Sequence, residues 1–264
     1  MASPKKRLSS LFRLIPEGRI KNIVRLCIYK KRKPTFYKID YNLVRDIWSV
    51  ETEGILLFFK KNPFHVFSTN PLFLKNFPNW QPDIIVDAGA FHGTVGLLLA
   101  KRYPSASVYL LEPDSESFET LSENIRLNKI SNAFAIKKGL WNSDGKLFFR
   151  RGNELSSAVV REGTSDAISI EAICPTTLLN NARGKKIFFK MNVEGAELEA
   201  VPACESMWKQ NRMVISVASD HYINNEFTFK SIEEFCKNLG IPCQTEHFGI
   251  YKTTYIGEKP GNEI

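Results

Sequence analysis

The chain has 264 residues, 43% of them hydrophobic and 24% charged, enough for one globular domain with a real core and an extension beside it. No run of about 18 apolar residues occurs, so no segment reads as a membrane span. Arg13, Arg19 and Arg25 break up the first apolar stretch, which argues against a secretory signal. The net charge of +8 is unevenly spread: residues 1–33 hold eleven Lys or Arg against the single acid Glu17, leaving 25 basic and 27 acidic side chains elsewhere.

Residues 1–33 therefore read as a basic arm. Within it Ile20, Ile23, Val24, Cys27 and Ile28 recur at helical spacing, while Lys21 and Arg25 fall on the other face. A basic amphipathic helix suits peripheral contact with an anionic membrane surface; the plainer reading packs its apolar stripe on the domain. Residues 34–80 form a mixed extension, with a strand expected at Ile55–Phe59 and turns at Pro63 and Pro71.

From residue 81 to 264 the pattern settles into alternation. DIIVDAG is a buried strand and TVGLLLAKRY an amphipathic helix; SVYLLEP and ESFETLSENIRLNK repeat the pair. AFAIKKGL is a third strand, followed by a turn at Asn142–Gly145. ISIEAI suits an edge strand and TTLLNN a short helix. KIFFKMNV is a fourth strand, GAELEAV starts a helix, RMVISVASD is a fifth strand, and a helix over 231–239 precedes two extended runs, TEHF and YKTTYI. This alternation predicts an α/β fold, a mostly parallel sheet with helices on both faces. Ligands of such sheets sit at the carboxyl ends of strands, where the strand order switches.

The first strand runs into VDAGAFHGTVG. Gly89 allows a sharp turn, Gly93 opens the next helix, and Gly96 falls inside that helix, where it relieves packing on the sheet. The spacing is G-x-x-x-G rather than the G-x-G-x-x-G of a dinucleotide site. Asp87, two residues before Gly89, would repel a pyrophosphate, which disfavours an NAD-dependent oxidoreductase. It suits a cofactor with a cationic end, such as S-adenosylmethionine. The second strand ends in Glu112, whose carboxylate can accept the hydroxyls of an adenosine ribose.

VDAGAFHG, LEPDSESFETLSENIRLN and above all KMNVEGAELEAV resemble the FkbM-like methyltransferases over roughly residues 82–240. The resemblance implies a seven-stranded class I methyltransferase fold, S-adenosylmethionine as donor, and O-methylation of a hydroxyl on a sugar, glycolipid or small metabolite. By position it matches Asp87, Gly89 and Gly93 to the first cofactor motif, Glu112 to the ribose acid, Gly139, Leu140 and Trp141 to the adenine side, and Lys190, Glu194 and Glu197 to the fourth-strand motif; His92 in the glycine turn and the adjoining Ala90, Pro113 and Asn192 are expected beside the cofactor as well. One position departs from the family, which usually carries Asp where this chain has Asn192. The amide accepts a hydrogen bond but neither carries charge nor binds a proton at neutral pH.

For catalysis, Ser219-Asp220-His221 directly follows the fifth strand, so His221 is the first candidate for the base that takes the acceptor's proton. Glu194 at the mouth of the fourth strand is the second. Lys190, inside an apolar strand, must reach an acid. The histidines His65, His92, His221 and His247 show no metal-ligand spacing, and no metal site is expected. The five cysteines form no C-x-x-C pair, which suits reduced thiols and a cytoplasmic setting, with the basic arm suited to the inner membrane surface. Two other readings stay open: an RNA methyltransferase gripping phosphates with the arm, although NVEGAE lacks the proline-containing loop of such enzymes, and a cofactor-binding protein impaired by Asn192.

Overall fold

Strict alternation governs the first strands. In β1 (Lys38–Asn42) only Ile39 and Tyr41 are buried; β2 (Ile47–Thr52) buries Trp48, Val50 and Thr52, and β3 (Ile55–Phe59) buries Leu57 and Phe59. The three pair as an antiparallel sheet in the order β1-β2-β3. Glu53 and Gly54, at φ 51° and 75°, make the tight turn that joins β2 to β3. Helix α1 (Arg19–Arg32) belongs to the same unit: its Tyr29 ring lies 6.1 Å from that of Trp48, and its Lys30 pairs with Asp40 at 3.1 Å. The helical part of the basic arm, Arg19–Arg32, thus packs with the extension. Its expected apolar stripe is also not the buried one, because Ile20 is 72% and Ile23 38% exposed, whereas Lys21 and Tyr29 are buried.

These observations come from a computed structural model that describes residues 15–32, 37–63, 80–150, 158–160, 167–223, 225–249 and 251–257. It divides the chain into two units, Met1–His65 and Val66–Ile264. The turn expected at Pro71, and His65, lie outside the described residues.

The second unit is built on a seven-stranded sheet. Its strands are β4 (Ile84–Ala88), β5 (Ser107–Leu111), β6 (Ala133–Ile136), β11 (Lys186–Met191), β12 (Arg212–Ala218), β15 (Cys243–Phe248) and β16 (Tyr251–Gly257), in the order β15-β16-β12-β11-β4-β5-β6. The five expected strands are parallel; β16 runs antiparallel to β12, and β15 antiparallel to β16. In β11 and β12 every residue after the first is buried, so both sheet faces are covered. That run of buried neighbours is why these segments read as unbroken apolar strands. The covering helices are α2 (Thr94–Arg102), α3 (Ser115–Leu127), the single turns α4 (Pro175–Leu178), α5 (Glu197–Ala200) and α6 (Glu205–Trp208), and α7 (Thr228–Leu239). This is the class I methyltransferase architecture that the resemblance implied.

Local chemistry sets the boundaries. Asp114 caps α3 by accepting from the Ser117 amide at 3.0 Å. Gly240, in the left-handed conformation, ends α7. Pro202 interrupts the helix expected from GAELEAV, leaving one turn at Glu197–Ala200 and a 3-10 turn at Pro202–Cys204. The expected third strand AFAIKKGL divides. Ala133–Ile136 stays in the large sheet, and a tight turn in which Lys138 N donates to Ile136 O at 2.9 Å ends it. Beyond that turn Gly139–Leu140 becomes β7 of a second sheet with β8 (Gly145–Arg150), β9 (Ala158–Val160) and β10 (Ala167–Ile173), in the order β7-β10-β8-β9; β13 (Tyr222–Ile223) and β14 (Glu226–Phe227) form an antiparallel pair of their own. The expected edge strand ISIEAI is the centre of that pairing, parallel to β7 and antiparallel to β8.

The sheet order reverses between β4 and β11. From β4 the chain steps outward to β5 and β6, then returns to β11 and steps the other way to β12. Their carboxyl ends open on one edge, which positions the site.

Candidate active site

At the end of β4 the backbone turns hard. Gly89 has φ 72°, and a Cβ there would fall 1.9 Å from the backbone oxygen of Asn192. The glycine lets two strand-end loops touch, and Asn192 N donates to Ala88 O at 3.0 Å across the same gap. Ala90 N and Gly89 N both donate to Leu111 O, tying the turn to β5. Phe91 follows at φ 51°, an uncommon conformation for an aromatic residue, and its ring stacks on His92 with centroids 3.7 Å apart. Gly93, φ 83°, opens α2 without a side-chain cap. Gly96 sits where a Cβ would strike Leu110, so its role is helix-on-sheet packing, as expected.

Below this turn lies a buried ion pair. In register, Asp87 of β4 stands beside Lys190 of β11, and Lys190 Nζ comes within 2.8 Å of Asp87 Oδ1. The same ammonium donates to Gly89 O at 3.0 Å. Asp87 is fully buried and accepts no hydrogen bond among the described residues, so Lys190 is what balances its charge. An acid placed to attract a cationic ligand is therefore neutralised from within the protein. Lys190 thus reaches an acid, as its place in an apolar strand required.

Glu112, at the end of β5, is also buried. Its Oε2 accepts from Phe91 N at 2.8 Å and its Oε1 from Asp114 N at 2.9 Å. Burial pushes its carboxyl up to about 7, against the pull of those two amides. Each oxygen keeps a further lone pair. Pro113 and Gly139 adjoin one another, a Cβ on Gly139 lying 3.9 Å from the proline ring, and Trp141 N donates to Ile173 O at 3.1 Å. Leu140 between them is buried. The expected cofactor segments thus converge on one edge of the sheet.

The second half of the site spans the ends of β11 and β12. Glu194 has φ 53°, and Gly195 follows at φ 100°. Two non-glycine residues in left-handed geometry, Phe91 and Glu194, stand at the ends of β4 and β11, and such strain gathers at functional sites. Glu197 is fully buried, and its Oε1 receives both His221 Nδ1 at 2.7 Å and Thr228 Oγ1 at 2.8 Å. Its Oε2 accepts from Gly195 N at 2.8 Å. On the other side of the ring, His221 Nε2 lies 3.5 Å from Glu194 Oε2. Burial alone would lower the His221 pKa; hydrogen bonds and charge from Glu194 and Glu197 win and push it up to about 10. His221 is then an imidazolium at neutral pH, with no lone pair for a substrate proton, which departs from the base expected of it. Burial raises the Asp220 carboxyl, with the neighbouring imidazolium opposing.

The candidate-base reading of the sequence overlooked Glu197 and Thr228. The signal for Glu197 was its place in the fourth-strand motif KMNVEGAE that carries the family resemblance. Thr228 carried no signal, being 31 residues from its partner in the chain.

Residues 87–242 match the family model described as the methyltransferase FkbM domain. The chain belongs to that family. A curated relative, methyltransferase sdnD of Sordaria araneosa, is 39% identical over 64 residues, which is 24% of this chain and 25% of the relative; the match spans about a quarter of its length. Solved structures with a similar chain course include precorrin-6y C5,15-methyltransferase of Geobacter metallireducens (12% identity, 69% of this chain, 83% of that one, TM-score 0.42). A SAM-dependent methyltransferase of Aquifex aeolicus (12%, 66% and 81%, 0.39) and TYW2 of M. jannaschii in complex with AdoMet (13%, 80% and 84%, 0.44) are others.

S-adenosylmethionine, the donor of this FkbM domain, fits the residues present. Glu112 keeps lone pairs that would accept a ribose diol, and the start of α2, uncapped by any side chain and without an acid in its first turn, would hold the donor's carboxylate.

Proposed function

We propose that this FkbM domain transfers a methyl group from S-adenosylmethionine to a hydroxyl oxygen of a sugar, glycolipid or small metabolite. The observation that carries the reading is the hydrogen-bonded series Glu194–His221–Glu197–Thr228 at the carboxyl ends of β11 and β12. When bound, the donor supplies an electrophilic methyl on a cationic sulfur, and its carbon–sulfur bond breaks as the new carbon–oxygen bond forms. The chain supplies alignment and a proton acceptor.

Glu194 is that acceptor. Its side chain is 23% exposed, the most open member of the series, and the His221 imidazolium holds one of its oxygens in place. Glu197 in turn holds His221, and Thr228 and Gly195 hold Glu197. The base role thus moves from His221 to Glu194, and Asn192 need not carry a charge for the proton to have a destination. Tyr222, next to His221 and 63% exposed, offers an aromatic face to a sugar ring.

The test is incubation with labelled donor and fractionated cell extract. Label entering glycan, glycolipid or metabolite fractions supports the reading; label in RNA alone sinks the acceptor assignment. Glu194→Gln should lower turnover by roughly 10²–10⁴-fold with donor affinity nearly unchanged. Full turnover in that variant would remove Glu194 as the base.

A further inference from the structure

We propose that the outer face of α1 docks the protein on an anionic membrane surface. Ile20, Ile23 and Cys27 fall within an arc of about 60° on the helix at 3.6 residues per turn. Ile20 is 72% and Ile23 38% exposed, and Cys27 is exposed as well. An amphipathic helix that served only its own fold would turn this stripe to the core. Here the inward face is made by other groups: Tyr29, buried, accepts from Asn62 Nδ2 at 2.8 Å, and Lys21, also buried, pairs with Glu17 at 2.8 Å. The fold leaves the apolar stripe to something else.

A second apolar group stands at the same end of the helix. Val44 is 84% and Leu43 46% exposed in the turn between β1 and β2, and Arg19 of α1 reaches Asp46 of that turn at 3.9 Å. Charges border both groups. Arg19 and Lys30 have side chains 57% and 59% exposed, Lys31 and Arg45 are exposed, and residues 1–33 carry eleven basic side chains against one acid.

An anionic bilayer matches both chemistries at once. Its acyl boundary takes Ile20, Ile23 and Val44, and its head groups take the cations. RNA would satisfy the cations and leave the isoleucines in water. A second copy of the chain would bring the same positive charge against itself. The inference is independent of methyl transfer, since vesicle binding needs neither donor nor acceptor.

The experiment is co-sedimentation of the full chain with phosphatidylcholine vesicles, with and without about 30% phosphatidylserine, in low salt and in about 0.5 M salt. The expected result is binding to the anionic vesicles, weakened by salt and reduced about tenfold or more in Ile20→Glu/Ile23→Glu. Both positions are exposed, so helix and fold should persist by circular dichroism; Ile20→Ser/Ile23→Ser is the milder pair, expected to reduce binding in the same direction. No binding to anionic vesicles overturns the proposal. So does equal binding by both paired variants, which would assign the effect to charge alone, or a dimer in light scattering that the variants dissociate while vesicles stay unbound.

Discussion

Glu197→Gln should release His221 from its protonated state and loosen the ends of β11 and β12 together. Glu197 is fully buried and accepts three hydrogen bonds, from His221 Nδ1 and Thr228 Oγ1 on one oxygen and from Gly195 N on the other. An amide nitrogen facing Gly195 N sets donor against donor; turned the other way, it needs His221 Nδ1 and Thr228 Oγ1 to accept instead of donate, which His221 can do only as the neutral ring. Removing one partner of a buried charge pair costs about 3–5 kcal/mol. Glu194 still faces the ring at 3.5 Å, and the His221 side chain keeps 20% exposure, so the lower end, about 3 kcal/mol, is expected. The pH dependence carries the same information. His221 moves from 6.5 when unfolded to about 10 when folded. At roughly 1.4 kcal/mol per pH unit that gap is an upper bound of about 5 kcal/mol. Because the folded value is the higher one, the stabilisation is complete below pH 6.5 and is lost as pH rises through about 10. NMR titration of the His221 ring from about pH 5 to 11, with thermal unfolding across the same range, reads both quantities. Wild-type His221 titrating between about 6 and 7 would refute the reasoning, as would a Glu197→Gln midpoint unmoved from the wild-type value.

Three further outcomes are expected. Donor affinity in calorimetry should rise about tenfold from pH 6 to 8 and then flatten, because Glu112 sits at about 7 and its ionised form accepts ribose hydroxyls; a flat profile, or Glu112→Ala with wild-type affinity, would contradict that role. Gly89→Ala should cost more than 2 kcal/mol in denaturant unfolding and Gly54→Ala only about 1, since both have positive φ but only the first would meet a backbone oxygen, at 1.9 Å. Asp87→Leu and Lys190→Met should each destabilise by about 3–5 kcal/mol, whereas the double variant should cost much less than the sum; strict additivity would show that the 2.8 Å contact contributes no coupling.

Much of the fold could be read along the chain because each clue is local. The central parallel strands β4, β11 and β12 announced themselves as unbroken apolar runs, since a sheet covered on both faces buries consecutive residues. The glycine turn after β4 and the acid ending β5 were visible for the same reason, as fixed intervals between neighbours in sequence. The division of AFAIKKGL between two sheets was not visible, because a two-residue strand takes its place from its partner, here Ala172 and Ile173 of β10.

What tertiary structure alone decided is the state of the charges. Asp87 and Lys190 are 103 residues apart and meet only because β4 and β11 lie side by side in one register. Glu197 reaches His221 and Thr228 across the end of β12, and no spacing rule connects them. The outward stripe of α1 is likewise a matter of which face Tyr29 anchors against Trp48. Residue types and their periods set the elements and the location of the site. Proton affinity depends on burial and on neighbours brought from afar, so the state of His221 and Glu112 is fixed only when the strands assemble.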